Sequence, residues 1–381
     1  MNYRVLGTTN LSVSEIGFGG EWIGKMSDDA IREMMIYASE RGVNLVDCWM
    51  SDPAIRDALG RGLAGMRDKW IIQGHVGSTW QNGQYVRTRD LDKVRPAFED
   101  LLCRLNTDYI DLGMIHYVDE MKDFNAIVEG TFMDYMRTLK ETHVIKHIGL
   151  STHDVEVAKH ACLHPEIEMI MFSLNPAFDL APAQTTLDEL YASSRIEGCN
   201  NIDPDRARLY ALAEHTKTAI TVMKAYAGGR LLDAQASPFG VALTPTQCLH
   251  YALTRPAVAS VLVGAESTDQ IAQAIDYMSA TSEERDYASV LAQAPSHAFA
   301  GQCTYCGHCA PCSVKINIAL VNKLYDLASL RPDENTGAQT HYTELEHKAS
   351  ACTHCQACEP RCPFGVPIAQ RMDKAAAFFG C

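Results

Sequence analysis

The sequence predicts an α/β protein: a (β/α)8 TIM barrel over residues 1–295, followed by a small, mainly helical domain over residues 296–381. Two observations predict this organisation. Short apolar runs alternate with longer amphipathic stretches throughout the first part, and cysteines gather in two runs near the C-terminus. Eight strand-helix repeats favour a closed parallel barrel, whose reactive side chains lie at the carboxyl ends of the strands. A doubly wound open sheet is the alternative, but no Gly-x-Gly-x-x-Gly turn follows the first strand.

The apolar runs give the positions of the predicted strands. These are 13–18, 44–47, 70–73, 109–115, 147–150, 169–173, 220–223 and 260–263. Helical periodicity occupies the stretches between them, for example at 28–41, 91–105, 154–162 and 268–278. After a break at 295–301, helices are predicted at 316–330 and 342–349, on either side of a polar turn at 331–337.

Composition and charge exclude several classes of protein. The formal net charge is -14, and no cluster of Lys and Arg is present, which argues against binding to a nucleic-acid backbone. The N-terminus has no apolar stretch of signal length, and no run of eighteen apolar residues occurs. We therefore expect a cytoplasmic protein without a membrane segment.

The cysteine runs have the spacing of iron-sulfur ligands. The first run is Cys303, Cys306, Cys309 and Cys312; the second is Cys352, Cys355, Cys358 and Cys362, with Pro363 directly after. The second run matches the bacterial ferredoxin pattern, so the two runs predict two 4Fe-4S clusters. In two-cluster ferredoxins the last cysteine of each run binds the other cluster, and we expect Cys312 and Cys362 to exchange in this way. Paired zinc sites are the alternative, although zinc ribbons usually divide their cysteines into two distant pairs.

Cysteine usage also indicates the cellular setting. Fourteen cysteines in a reducing compartment are thiols or metal ligands rather than disulfides. A long-lived reduced cluster further favours an oxygen-poor cell, so the sequence predicts a protein of an anaerobe.

Several segments together resemble the aldo-keto reductases. They are RVLGTTNLSVS (4–14), GVNLVD (42–47), DYIDL (108–112), IH (115–116) and IGLS (148–151). With its cysteine runs, the chain is similar to the branch of that superfamily that carries a C-terminal ferredoxin-like domain. The resemblance implies a barrel that binds a nicotinamide dinucleotide without a Rossmann turn.

The resemblance also implies a catalytic tetrad of Asp, Tyr, Lys and His that reduces carbonyls. The Asp falls on Asp47 and the His on His116. The position of the Lys holds His75, and no Tyr lies in 48–52, where the tyrosine general acid belongs. Asp47, His75 and His116 are therefore the catalytic candidates, at the ends of three successive strands.

The lost tyrosine leaves the proton donor open. His75 is one candidate, because an imidazole exchanges protons near neutral pH. Tyr85 or Tyr117 could substitute as the donor if either comes within hydrogen-bonding reach. Two His and one carboxylate are also the ligand set of non-haem iron sites, although the family resemblance explains Asp47 and His116 without a metal.

Cofactor residues are predicted at the ends of the later strands. The resemblance implies contacts from Ser151, Asn175 and Lys224. Gly264, Ser267 and Gln270 open a helix whose N-terminal amides could hold phosphate. The acidic Glu266 and Asp269 favour NAD(H) over NADP(H). A flavin is an equal candidate, because it converts between electron pairs and single electrons. Each side chain also has a structural interpretation, since asparagine caps helices and lysine extends along apolar surfaces.

The predicted function is an iron-sulfur oxidoreductase. Two 4Fe-4S clusters relay electrons to or from a small organic substrate at the barrel mouth, and the reaction reduces a carbonyl, an activated double bond or a carbon-heteroatom bond. A ferredoxin or flavodoxin is a candidate electron-carrier partner. The first alternative is an NAD(P)-dependent carbonyl reductase with structural clusters. The second is a barrel that has lost catalysis and serves electron transfer.

Overall fold

Eight parallel strands close into the predicted barrel. The structure is a computed structural model that describes residues 1–185, 189, 201–294, 299–329 and 337–380. Its strands are β1 (Tyr3–Val5), β2 (Ser12–Ser14), β3 (Ile16–Gly19), β4 (Leu45–Cys48), β5 (Ile71–Val76), β6 (Ser78–Gln81), β7 (Gln84–Arg87), β8 (Ile110–Ile115), β9 (Ile145–Thr152), β10 (Met169–Ser173), β11 (Ala219–Met223) and β12 (Val258–Gly264). Around the barrel the order is β3-β4-β5-β8-β9-β10-β11-β12, and β12 pairs with β3 to close it.

The barrel strands are apolar because both of their faces are covered, by side chains inside and by helices outside. Every residue of β4, β8 and β10 is buried. One core cluster lies among the strands and consists of Leu6, Val13, Leu45, Leu112, Met114, Met169, Met171, Ala219, Ala259 and Leu262. The eight predicted strands are all present, each within a few residues of its predicted bounds.

Two antiparallel hairpins lie outside the barrel sheet and were not predicted. One pairs β1 with β2, and the other pairs β6 with β7. The β6–β7 turn is formed by Asn82 and Gly83, which both have positive φ, at 52° and 78°. Asn-Gly with two positive φ angles is typical of a two-residue hairpin turn. This hairpin follows β5 after the single residue Gly77, so it extends directly from a barrel strand.

Helices occupy most of the remaining chain. The α-helices are Asp28–Glu40, Pro53–Leu63, Leu91–Arg104, Met121–Val128, Thr131–Glu141, Val155–Leu163, Pro176–Leu180, Pro204–Thr216, Pro245–Thr254, Thr268–Asp276, Tyr287–Gln293, Ile318–Ser329, Gly337–Thr343 and Ile368–Phe379. Short 3-10 helices are Gly7–Thr9, Trp22–Lys25, Arg67–Lys69, Arg230–Leu232, Ala349–Ala351 and Glu359–Arg361. No helix in the described part of the chain is long and apolar enough to cross a membrane.

The chain divides into two compact units. The first consists of Met1–Leu174, Thr218–Ala225 and Val258–Ala280 and contains every barrel strand. The second consists of Asn175–Lys217, Tyr226–Ala257 and Thr281–Cys381. It therefore includes both cysteine runs and the helices that follow β10 and β11. The predicted domain boundary at residue 295 lies outside the described residues and stays a prediction.

Helices and loops form the C-terminal part of the second unit, without a strand among residues 299–329 and 337–380. The predicted helix at 316–330 is present as Ile318–Ser329. The helix predicted at 342–349 is wrong: the helix is Gly337–Thr343 and ends where the predicted one begins. Most of the predicted turn at 331–337 lies outside the described residues.

Candidate functional site

Three neighbouring barrel strands hold the catalytic candidates. Asp47 is on β4, His75 is on β5, and His116 directly follows β8. All three side chains are buried, with 1%, 2% and 5% of their surface exposed. Gln73 and His75 are two residues apart on one strand, so their side chains lie on the same face. The barrel thus brings the predicted Asp47, His75 and His116 together.

These side chains form one continuous line of hydrogen bonds. Asp47 Oδ1 lies 2.9 Å from His75 Nε2, and His75 Nδ1 lies 2.8 Å from His116 Nδ1. His116 Nε2 lies 2.7 Å from Tyr85 Oη. Tyr85 is on β7, so the hairpin supplies a phenol where residues 48–52 have none. The line therefore connects a buried carboxylate to a half-buried phenol.

The environment of the line fixes the charge of two members. Burial lowers the pKa of His116 well below the ordinary histidine value, and His75, Arg89, Arg87 and His153 add to this shift as nearby positive charges. His116 is therefore neutral near pH 7 and has one donor and one acceptor nitrogen. Burial raises the pKa of Tyr85 to about 12, so the phenol keeps its proton.

Aromatic and polar neighbours hold His116 and Tyr85 in place. The Trp49 ring stacks on the His116 ring, with centroids 5.7 Å apart and planes at 9°. It also meets the Tyr85 ring edge-on at 5.4 Å. Tyr117 has a positive φ of 48°, and its carbonyl accepts hydrogen bonds from Arg87 and Arg89 at 2.8 and 3.1 Å. Such backbone strain is concentrated at functional sites.

Two further residues at the site were not predicted. Gln73 Nε2 donates to Asp47 Oδ1 at 3.0 Å, so this oxygen accepts from both Gln73 and His75. Glu21 accepts from Trp49 Nε1 at 3.4 Å. Burial raises the pKa of Glu21, and the charge of Lys224 opposes that shift. Gln73 could have been predicted from the sequence, because it lies two residues before His75 on the same strand. For Glu21 the sequence gives no signal beyond its position shortly after β3.

The arrangement does not fit the predicted non-haem iron alternative. Both ring nitrogens of His75 point at other members of the line rather than at a shared point. Within the described ranges, no group of three His, Cys, Asp or Glu side chains is placed to hold one metal ion. Asp47, His75 and His116 are thus joined in a chain of hydrogen bonds rather than gathered around one point.

The predicted cofactor residues at the strand ends each have a structural partner. Ser151 Oγ accepts from the Tyr117 amide at 2.8 Å. Asn175 caps the helix Pro176–Leu180 through its Oδ1. Lys224 directly follows β11 and has a positive φ of 64°. Their contacts with a cofactor remain predictions.

The predicted phosphate site begins the helix Thr268–Asp276. Ser267 Oγ accepts from the Gln270 amide at 3.3 Å, and Gln270 Oε1 accepts from the Glu266 amide at 2.8 Å. Two amides of this turn are therefore already bonded within the chain. The Trp22 indole lies against Gly264, where a Cβ would come within 2.6 Å of Trp22 Cδ1. The roles of Gly264, Ser267 and Gln270 in cofactor binding also remain predictions.

The cysteines of the second unit separate into two sets. Cys312, Cys352, Cys355 and Cys358 line one cavity that is open to solvent. Burial raises the pKa of the Cys309 thiol to about 11, and Cys306, Cys362 and, less strongly, Cys358 add to the shift as like charges. Burial also raises the pKa of Cys303 to about 12. Cys312 thus lies with the second run, and Cys362 lies near the first.

This pairing fits cubane clusters better than zinc. A structural zinc ion binds four thiolates at one point. In a 4Fe-4S cube each thiolate binds a different iron, so the sulfurs lie farther apart. No cysteines among the described residues converge on a single-ion site, whereas four of them surround a cavity. The four cysteines around this cavity therefore fit a cubane cluster better than a single zinc ion.

Comparison with known proteins agrees with the barrel. The Aldo/keto reductase family model matches residues 15–185. The chain is 28% identical over 291 residues to the uncharacterized oxidoreductase YqkF of Bacillus subtilis, covering 72% of this chain and 90% of that protein. It is 26% identical over 324 residues to Protein tas of Escherichia coli, covering 71% and 91%. The holo form of aldo-keto reductase AKR11C1 from Bacillus halodurans has the same fold, with a TM-score of 0.60 at 24% identity over 78% of this chain and 98% of that one.

The fold is a parallel (β/α)8 barrel, and one carboxylate, two imidazoles and a phenol are joined by hydrogen bonds within it. The family model and the relatives together support the aldo/keto reductase superfamily, and with it an oxidoreductase enzyme.

Proposed function

We propose that the chain is an iron-sulfur oxidoreductase that reduces a small organic substrate at the barrel mouth. The substrate bond is a carbonyl, an activated double bond or a carbon-heteroatom bond. The observation that carries the proposal is the hydrogen-bonded line of Asp47, His75, His116 and Tyr85. Such reductions add two electrons and two protons, and the line ends at a phenol able to deliver one of those protons.

The hydrogen-bonded line can carry one extra proton, on His75. In its loaded state His75 is protonated, with Nε2–H donating to Asp47 and Nδ1–H donating to His116. His116 Nε2–H then donates to the Tyr85 oxygen, which leaves the phenol proton for the substrate. When Tyr85 donates, each proton moves one place along the line and His75 becomes neutral. His116 stays neutral in both states, in agreement with its lowered pKa.

Asp47 has a separate task in this scheme. Its carboxylate accepts hydrogen bonds from Gln73 and His75, and it would stabilise a protonated His75 as an opposite charge. In the resembled family a Lys lies beside this Asp. Protonated His75 therefore replaces the lysine cation, and Tyr85 replaces the missing tyrosine.

The cysteine sets are the proposed source of electrons. Cys303, Cys306, Cys309 and Cys362 would hold one 4Fe-4S cluster, and Cys312, Cys352, Cys355 and Cys358 the other. Bound clusters supply electrons singly. A ferredoxin or flavodoxin is the proposed external carrier. NAD(H), with NADP(H) less favoured, and flavin are candidate further cofactors, and the proposed location is the cytoplasm of an anaerobe.

A second candidate function is an NAD(P)-dependent carbonyl reductase whose clusters are structural. The family-model match favours it, because the matched residues 15–185 lie before both cysteine runs. The same proton line serves a hydride reduction equally well. A barrel that has lost catalysis is disfavoured, because the line from carboxylate to phenol is complete.

The test begins with protein purified without oxygen and analysed for iron, sulfide, zinc, flavin and nicotinamide. Dithionite-reduced protein is then mixed with small carbonyl and enone substrates, while cluster absorbance and product are followed. We expect about eight iron per chain and cluster reoxidation coupled to product. Tyr85→Phe should slow the chemical step by about 10²- to 10⁴-fold, whereas Tyr117→Phe, beside His116, should not.

Two results would overturn the proposal: zinc in place of iron, or an unchanged rate in Tyr85→Phe. The second candidate is distinguished with Cys303→Ser and Cys355→Ser. Full NADH-dependent activity in these variants, with the fold intact, would favour structural clusters.

A further inference from the structure

A buried guanidinium lies against the loop of the first cysteine run. Arg255, at the end of the helix Pro245–Thr254, is 1% exposed. Its Nη2 donates to the Thr304 carbonyl, which also accepts from Tyr287 Oη at 2.8 Å. Thr304 lies between Cys303 and Cys306. The guanidinium therefore contacts the backbone that would support the first cluster.

The direct partners of Arg255 among the described residues are neutral groups. They are the Thr254 hydroxyl, the Thr304 carbonyl and the rings of Tyr251 and Tyr305. A buried cation without a contacting anion is costly. A cube bound by four thiolates is negative overall and becomes more negative on reduction. Such a cluster would supply the opposite charge that this position requires.

One carboxylate acts on Arg255 from a distance. Asp179 is fully buried and accepts hydrogen bonds from Tyr210 and from Tyr251, the latter at 2.7 Å. Its charge is one of those that act on Arg255. Asp179 also lies 3.8 Å from the buried Arg206, so its charge acts on two guanidinium groups and offsets that of Arg255 only in part.

The second run has a different environment. Cys355 is exposed, and its cavity is open to solvent. Arg361 is an exposed cation that lines this cavity, and it donates to the carbonyls of Cys309 and Pro311 in the first-run loop at 2.7 Å each. Solvent screens an exposed charge, whereas a buried charge acts through a lower effective dielectric.

From this asymmetry we infer that Arg255 raises the reduction potential of the first-run cluster above that of the second, so that electrons accepted at the exposed second run move to the buried first run. A positive charge stabilises the more negative, reduced form of a cluster, and local charge and solvent exposure are among the determinants of cluster potential. The inference rests on the proposed function, because it requires both clusters.

The test is a redox titration of the anaerobic, cluster-loaded full chain, followed by electron paramagnetic resonance. In Arg255→Gln the ratio of reduced to oxidised first-run cluster should fall at least tenfold at fixed potential. That change corresponds to a downward shift of about 59 mV for a one-electron couple. Asp179→Asn removes the offsetting charge without changing shape, so it should shift the same cluster upward. Arg361→Gln is the matched control and should shift either cluster much less.

Arg255→Lys and Tyr287→Phe separate charge from hydrogen bonding. Lysine keeps the charge, so Arg255→Lys should restore most of the first-run cluster's potential. Tyr287→Phe removes the second donor to the Thr304 carbonyl and should shift that potential less than Arg255→Gln does. Unchanged potentials in Arg255→Gln, or a downward shift in Asp179→Asn, would overturn the inference while both clusters are present. Should Arg255→Gln fail to fold, the sign of the shift in Asp179→Asn decides. Absence of iron and sulfide from the unmodified chain would instead refute the proposed function.

Discussion

His75 and His116 are hydrogen-bonded through the same ring nitrogen of each, with Nδ1 of His75 2.8 Å from Nδ1 of His116. Only one of these two atoms can carry the hydrogen at a time. The pair therefore has two alternative hydrogen-bond arrangements with opposite direction, and moving one proton converts the first into the second. In the proposed function, this reversal lets a proton pass from His75 to His116 as another passes from His116 to Tyr85.

Replacement of His75 tests proton transfer along the line. Glutamine can still bond to Asp47 but cannot pass a proton between its ends, so we expect His75→Gln to slow the single-turnover reduction by about 10²- to 10⁴-fold. The Michaelis constant should change little. His147→Gln is the control, because His147 is also a barrel-strand histidine bonded to a carboxylate, Glu168 at 2.8 Å, but lies outside the line. An equal loss in both variants would contradict the relay.

The lowered pKa of His116 predicts a stability change in mild acid. Its folded pKa lies below the unfolded value of about 6.5, so the unfolded chain binds more protons between those two values. The stability that neutral His116 contributes is complete above about pH 6.5 and is lost as the pH falls toward the folded pKa. Thermal unfolding at a series of pH values should show a steeper loss in the unmodified chain than in His116→Asn. Parallel curves would contradict the neutral, buried histidine.

Gly20 controls the position of Asp47. Its amide donates to the Asp47 carbonyl at 3.0 Å, and a Cβ at Gly20 would lie 2.8 Å from that oxygen. Gly20→Ala should therefore displace the end of β4, with a cost of about 1–3 kcal/mol in unfolding free energy and a loss of activity. Gly337→Ala is the control, since a Cβ there meets nothing within 4 Å. Denaturant unfolding measures both, and an equal effect would contradict the steric explanation.

The exchange of the last cysteines predicts which cluster each substitution removes. If Cys362 binds with the first run, Cys362→Ser should lower iron from about eight to about four per chain and abolish the spin signal of the first-run cluster. Cys312→Ser should abolish the other signal. Cys103→Ser changes an exposed thiol outside both runs and should leave iron unchanged. Loss of the same signal in Cys362→Ser and Cys358→Ser would refute the exchange.

The barrel was predictable because its central parallel strands are buried on both faces and appear as short apolar runs. β8 and β10 show this directly, with every residue buried. Asp47, His75 and His116 followed from strand position and resemblance. The hairpin carrying Tyr85 was missed although Asn82-Gly83 is a strong turn signal. Its polar strands lack the apolar run by which the barrel strands were found.

Packing between distant residues accounts for what local pattern could not predict. The bond from Tyr85 to His116 joins residues 31 positions apart. The helix predicted at 342–349 fails because the Tyr342 hydroxyl accepts from the Ala349 amide at 3.0 Å, and its ring stacks on Phe379 at 3.8 Å. Those contacts turn the chain back after Thr343, against its helical periodicity.

The hairpin that carries Tyr85 has a consequence for how the candidate site can change between related proteins. Asp47 and His75 are tied to the closure of the barrel, since moving either strand would break its pairing with both neighbours. Tyr85, in contrast, lies on the β6–β7 hairpin, whose two strands pair with each other and not with the barrel. Insertions or exchanges in that ribbon can redirect the terminal group toward new substrates while the inherited scaffold stays intact.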